Sequence, residues 1–214
     1  MTRLQSFTLT SAIACILLGT IAIPASAQAP ADEGNEFWPC IQRRVPELSL
    51  PQIWNGPELP ASASDWSRDR QVSDLIKEIA QRRMPLEEAE AKIRDFAESL
   101  SQEEHDERLF KLARGLFEHM DRERSDVMAG IERYTRKQIA LADNVRKETA
   151  AVDALLRDPQ ANQAEVTRRS DALAFETRVF QERAQSLTYV CEVPTLIEQR
   201  LYRLSNVIVP LLSS

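Results

Sequence analysis

From Ser101 to Asp158-Pro159 the sequence contains no helix stop signal, and a heptad alternation of apolar residues runs up to that dipeptide and resumes beyond it. A strand repeats its faces every two residues, so a sustained four–three alternation commits this stretch to helix. The first seam is Val127, Ile131, Tyr134, Gln138, Leu141, Val145, Glu148, Val152 and Leu155. The second is Val166, Ser170, Leu173, Thr177, Phe180, Ala184, Leu187 and Cys191. Two such runs around a short polar turn predict an antiparallel coiled-coil hairpin over about residues 125–191. Folding about the turn sets Val145 against Leu173, Leu141 against Thr177, and Val127 against Cys191. The arm from Val127 to Leu155 would be about 42 Å long. Gln138 and Glu148 weaken the seam and would fix its register.

Composition agrees with helix. Only 5 of 214 residues are glycine, and after Gly56 only Gly115 and Gly130 remain. Phosphate-cradling loops and tight hairpin turns draw on glycine's positive φ, so both are disfavoured. With 43% hydrophobic and 28% charged residues the chain has a globular balance. Its fold class reads as all-α, a helical base carrying the hairpin, preceded by an extended Pro-rich segment.

That segment, residues 28–61, holds six of the eleven prolines, which exclude a long helix. Residues 28–35 read as disordered, but Phe37, Trp38, Val45, Leu48, Leu50, Ile53 and Trp54 are too apolar for a solvated linker. The segment is expected to dock on the helical domain of residues 62–214 through Phe37, Trp38, Trp54 and Trp66. In that domain Val72, Leu75, Ile76, Ile79 and Ala80 mark one helix face. Pro85 would take the first position of a second helix, with Glu87 and Glu88 in its first turn. Ser101 and Glu104 match a capping box opening the third. Asn162 and Glu165 can cap the fourth, and Pro194 interrupts it before a last amphipathic run from Leu196 to Ile208.

The first 27 residues read as a signal peptide. Arg3 precedes an apolar run from Ala12 to Ile23, Pro24 breaks it, and Ala25-Ser26-Ala27 offers a cleavage site after Ala27. The run is too short to cross roughly 30 Å of hydrocarbon. Lipidation at Cys15 is an alternative, although the usual leucine is missing ahead of it. The expected location is periplasmic or secreted, with no stable membrane insertion after cleavage. Cleavage leaves Cys40 and Cys191, and two cysteines in an oxidising compartment predict a disulfide.

The search for chemistry yields no site. His105 and His119 lie about 21 Å apart along one helix, too far to share an ion, and neither belongs to a Glu-x-x-His or His-Glu-x-x-His motif. Cys-x-x-Cys, Gly-x-Ser-x-Gly and Asp-x-Asp motifs are missing. Paired carboxylates such as Glu87-Glu88 read as solvated helix charges. A net charge of −6, with basic and acidic residues interspersed, disfavours nucleic acid. No catalytic residue, cofactor or metal is therefore expected. The leading functional reading is an exported, non-catalytic protein whose hairpin meets a protein partner or a second copy. The candidate seam residues are Ile131, Tyr134, Leu141, Val145, Leu173, Phe180 and Leu187. The alternative is a small-ligand or metal-binding protein with its site between the aromatic segment and the base.

Overall fold

The computed structural model describes residues 37–213. The expected signal peptide, its cleavage site and residues 28–35 lie outside the described residues. Those described form helices and connecting turns, with no strand among them. In chain order these are α1 (Leu50–Ile53), a 3-10 helix (Ala61–Arg68), α2 (Arg70–Ile79), α3 (Leu86–Glu98), α4 (His105–Arg157), α5 (Gln163–Val190) and α6 (Val193–Ile208), closed by a 3-10 turn (Val209–Leu211).

Local chemistry explains most of the boundaries. Asp69 caps α2, its carboxylate accepting from Val72 N–H at 3.2 Å. Asn162 caps α5 through both Ala164 and Glu165 N–H. Asp158 ends α4 in extended backbone, as a residue before proline favours. Pro194 lies in the first turn of α6, where no intrahelical donor is lost, so the chain ends one helix at Val190 and restarts at Val193. Two expectations need correction. Pro85 stands one position outside α3, at its N-cap. Ser101 and Glu104 do not form a capping box: Ser101 Oγ donates to the Glu104 carboxylate at 3.1 Å, and α4 begins only at His105. The Glu104 N–H that a capping box would give to the serine hydroxyl donates to Ser101 O instead, at 3.1 Å.

The core surrounds the first third of α4. Leu109, Leu112, Leu116 and Met120 meet Val72, Ile76 and Ile79 of α2, Ala89 and Ile93 of α3, and Ile197, Leu201, Leu204 and Ile208 of α6, all fully buried. Gly115 is required here, because a Cβ on it would lie 2.5 Å from Ile76 and 2.6 Å from the Trp66 ring. Two arginines fasten the layers. Arg108 of α4 grips Asp69 through Nε and Nη2 at 2.8 and 2.9 Å. Burial pushes the Asp69 carboxyl up, but Arg108 and the Val72 N–H outweigh it and hold it below the usual carboxylate range. Arg200 of α6 donates to Ile79 O at the end of α2 and to Met84 O in the turn before α3, and burial lowers its pKa.

Beyond the core α4 continues, 53 residues and about 80 Å in all. Helix α5 lies beside its distal part in the opposite direction. Tyr134 Oη donates to Arg183 O at 3.4 Å, Gln138 Nε2 to Phe180 O at 3.2 Å, and Arg169 reaches Glu148 at 2.6 Å.

Candidate interaction surface and the joint beneath it

Proline-rich backbone cannot complete a ladder of its own, so residues 37–48 must find partners elsewhere. They find them along α4. Arg136 stacks over the Phe37 ring at 4.5 Å, Arg44 Nε bonds Glu132 at 2.6 Å, Val45 O accepts from Arg124 at 2.6 Å, and Leu48 N–H donates to Asp121 at 3.3 Å. Rising residue numbers in the segment meet falling ones in the helix, so the two run antiparallel. The Cys40–Cys191 disulfide spans 151 residues and fastens this segment to the end of α5, with Cα atoms 5.4 Å apart.

Arg124 is the joint under that fastening. It is only 2% exposed, and it links three elements: Nε bonds Glu198 of α6 at 2.5 Å, while Nη2 bonds Val45 O. Its Nη1 has no protein partner. Met128 and Thr135 are also buried on α4, the Thr135 hydroxyl donating to Ile131 O. The sequence reading missed all three. The interspersed charges of Asp121-Arg122-Glu123-Arg124 read as an ion-paired helix face. The signal was the spacing Met120, Arg124, Met128, Ile131, Thr135, Gln138, which continues the core stripe through a charged residue.

The four aromatic candidates go to different places. Trp54 is buried in the core with its indole N–H on Pro57 O at 2.6 Å. Trp66 rests on α4 and donates to Glu118 at 2.9 Å. Trp38 turns to Gln42 O of its own segment at 2.7 Å, and Phe37 meets Arg136. None of them lines the cavity between that segment and α6, of about 370 Å³, whose walls are Val45, Leu48, Gln52, Ile53, Glu198, Gln199 and Tyr202.

Along the seam, Ile131, Gln138, Val152, Val166 and Cys191 are buried. Tyr134, Leu141, Val145, Leu173, Phe180 and Leu187 are half-buried, whereas Ala184 is exposed. Gln138 Oε1 is buried without a partner. Large apolar side chains also face outward on the distal pair: Ile139, Leu156 and Phe175, the last two more than half exposed at 62% and 58%. Nearer the joint, Ile41, Tyr189, Val190, Leu196 and Tyr202 are exposed as well.

His105 Nδ1 lies 3.1 Å from Asp106, which also accepts from Ser213 N–H; these two contacts hold the Asp106 carboxyl below its usual range. His119 is half-buried. Among the described residues no three His, Cys, Asp or Glu side chains converge on one point, and no helix is long and apolar enough to cross a membrane.

Gly130 differs from the other two described glycines. A Cβ at Gly56 would strike the Trp54 ring at 2.5 Å, and Gly115 is wedged as described. A Cβ at Gly130 would meet only Arg133 Nη2, at 3.8 Å. Glycine inside a helix costs about 1 kcal/mol relative to alanine, and no packing contact among the described residues recovers that cost here.

Comparison of the chain with models of known protein families, with curated proteins and with solved structures finds no match.

Proposed function

We propose that this chain is an exported, non-catalytic helical protein that acts as a protein-interaction or spacer module. In this reading α4 and α5 form an antiparallel coiled-coil hairpin, and residues 28–61 form an arm strapped to its root by the disulfide. The observation that carries the proposal is the length of α4 past its last core residue. From Met120 to Arg157 the helix continues for about 55 Å. That length contributes little to the core but displays Ile139 and Leu156 to solvent, and α5 beside it displays Phe175. Export rests on the amino-terminal pattern, the disulfide and the lack of a membrane-spanning helix among the described residues.

Photo-crosslinking in the native compartment tests the reading. A benzophenone side chain at Phe175 or Ile139 is expected to capture a discrete protein adduct, and one at Glu98 on the base is not. Adducts of equal yield from all three positions, or from Glu98 alone, would contradict it. Amino-terminal sequencing of the exported protein checks the cut after Ala27.

A second reading has one observation in its favour, the cavity between Val45–Ile53 and α6. Its walls, apolar except for Gln52, Glu198 and Gln199, suit a small apolar ligand bearing one hydrogen-bonding group. Native mass spectrometry of purified protein decides it: a stoichiometric adduct lost on Tyr202→Ala supports this reading, and a bare chain removes it.

A further inference from the structure

We infer that two copies of this chain cross antiparallel at Gly130, with Asp126 of each copy facing Arg133 of the other. The inference rests on the interaction reading above and names the partner for the root of the α4–α5 pair.

Three independent features meet at this point. First, Gly130 leaves an unfilled notch on an outer face of α4. Second, the charges along that face are antisymmetric about the glycine. Asp126 lies one turn before it and Arg133 one turn after, and at two turns Glu123 balances Lys137. Asp126, Arg133 and Lys137 are exposed. None of them takes part in any ion pair among the described residues. A two-fold axis through Gly130 reverses the helix, so the acidic half of one copy meets the basic half of the other. An isologous interface needs this self-complementarity.

Third, an apolar cavity of about 330 Å³ adjoins the notch, lined by Val127, Gly130, Ile131, Tyr134, Leu187 and Val190 among others. The register of α5 on α4, fixed by Gln138 with Phe180 and Glu148 with Arg169, puts residue 188 level with Gly130. The same axis therefore brings the exposed Tyr189 and Val190 of the two copies together over their cavities. Among the described residues the face is open on this side. Residues 37–48 hold Asp121, Arg124, Glu132 and Arg136, which point to the opposite side of α4. Arg82 reaches Glu123 at 3.3 Å, so the base begins about two turns below the glycine. The two helices must therefore cross, not lie side by side, and glycine at the crossing lets the backbones approach.

Sedimentation velocity of the disulfide-bonded chain across the micromolar range tests this. A concentration-dependent dimer is expected. Asp126→Arg or Arg133→Asp alone should weaken it about tenfold, because each places like charges opposite each other twice. The double variant Asp126→Arg/Arg133→Asp should restore it. Gly130→Leu should abolish the dimer while leaving the monomer's circular dichroism melt no lower, and slightly raised, because leucine favours the helix and among the described residues only Arg133 Nη2, at 3.8 Å, approaches that space. A monomer at every concentration, or a dimer indifferent to all four variants, would overturn the inference. The photo-crosslinks at Phe175 read the wider interaction proposal separately, since that residue is remote from Gly130.

Discussion

The base and the distal part of the α4–α5 pair share one continuous helix but differ in what holds them. In the base, α4 is surrounded, and Leu109, Leu112, Leu116 and Met120 are fully buried. In the distal part, α4 has α5 as its neighbour among the described residues. From Leu141 onward only Val152 on α4 and Val166 on α5 are buried before Cys191. Each fully buried leucine contributes about 1.5–3 kcal/mol by leaving water, whereas a half-buried one contributes about half that. The base can therefore stand on its core. The distal pair depends on its continuity with the base, on the Asn162-capped turn, and on the strapped root at Cys191. A helix can thus be continuous in geometry and discontinuous in stability.

Breaking the strap should have the largest effect. Cys40→Ser or Cys191→Ser removes a closure of 151 residues. In the chain-entropy model that lowers stability by about 5 kcal/mol, less any native strain. Chemical denaturation of oxidised and variant protein measures it. Local loosening of residues 37–48 should accompany the loss, read as a change in Trp38 emission. Next comes the core: Leu116→Ala should cost about 2–5 kcal/mol by opening a cavity between α2, α4 and α6. No loss at Leu116, or none at Cys40, would contradict the proposed division of labour.

Seam substitutions sharpen the contrast at lower cost. Leu141→Asp and Val145→Asp should each lose about 1–2 kcal/mol, since both side chains are only half-buried. Arg146→Asp, on the exposed side, should leave the denaturation midpoint unchanged. Acid gives the smallest single-site effect. Because the folded pKa of Asp69 is depressed, its stabilisation is complete above the unfolded value of about 3.9 and is lost as pH falls through the lower folded value. Stability should decline below about pH 4 in the native chain, and Asp69→Asn should flatten that decline.

The sequence made the helical class and most boundaries legible because their causes are local. Asn162 caps, Asp158-Pro159 terminates, and Pro194 restarts a helix by rules that act within one turn. The disulfide was legible from the two cysteines left beyond the expected signal peptide. The joint was not. Arg124 looks like a solvated charge until residues 37–48 and Glu198 arrive from 79 and 74 positions away. The four aromatics looked like one cluster because they are near in sequence, yet packing sends Trp54 to the core and Trp66 to Gly115. The failed capping box has a local cause, since the Glu104 N–H that would meet the Ser101 hydroxyl oxygen bonds the Ser101 carbonyl instead.

Native-state amide hydrogen exchange, resolved by residue along α4 with the disulfide intact, tests the two-region account most directly. Amides from Leu109 to Met120 should exchange only with global unfolding, whereas those from Leu141 to Leu155 should exchange through local opening, at least about a hundredfold faster. Equal protection along the whole helix would contradict the account, because it would mean that the distal pair is as firmly held as the core.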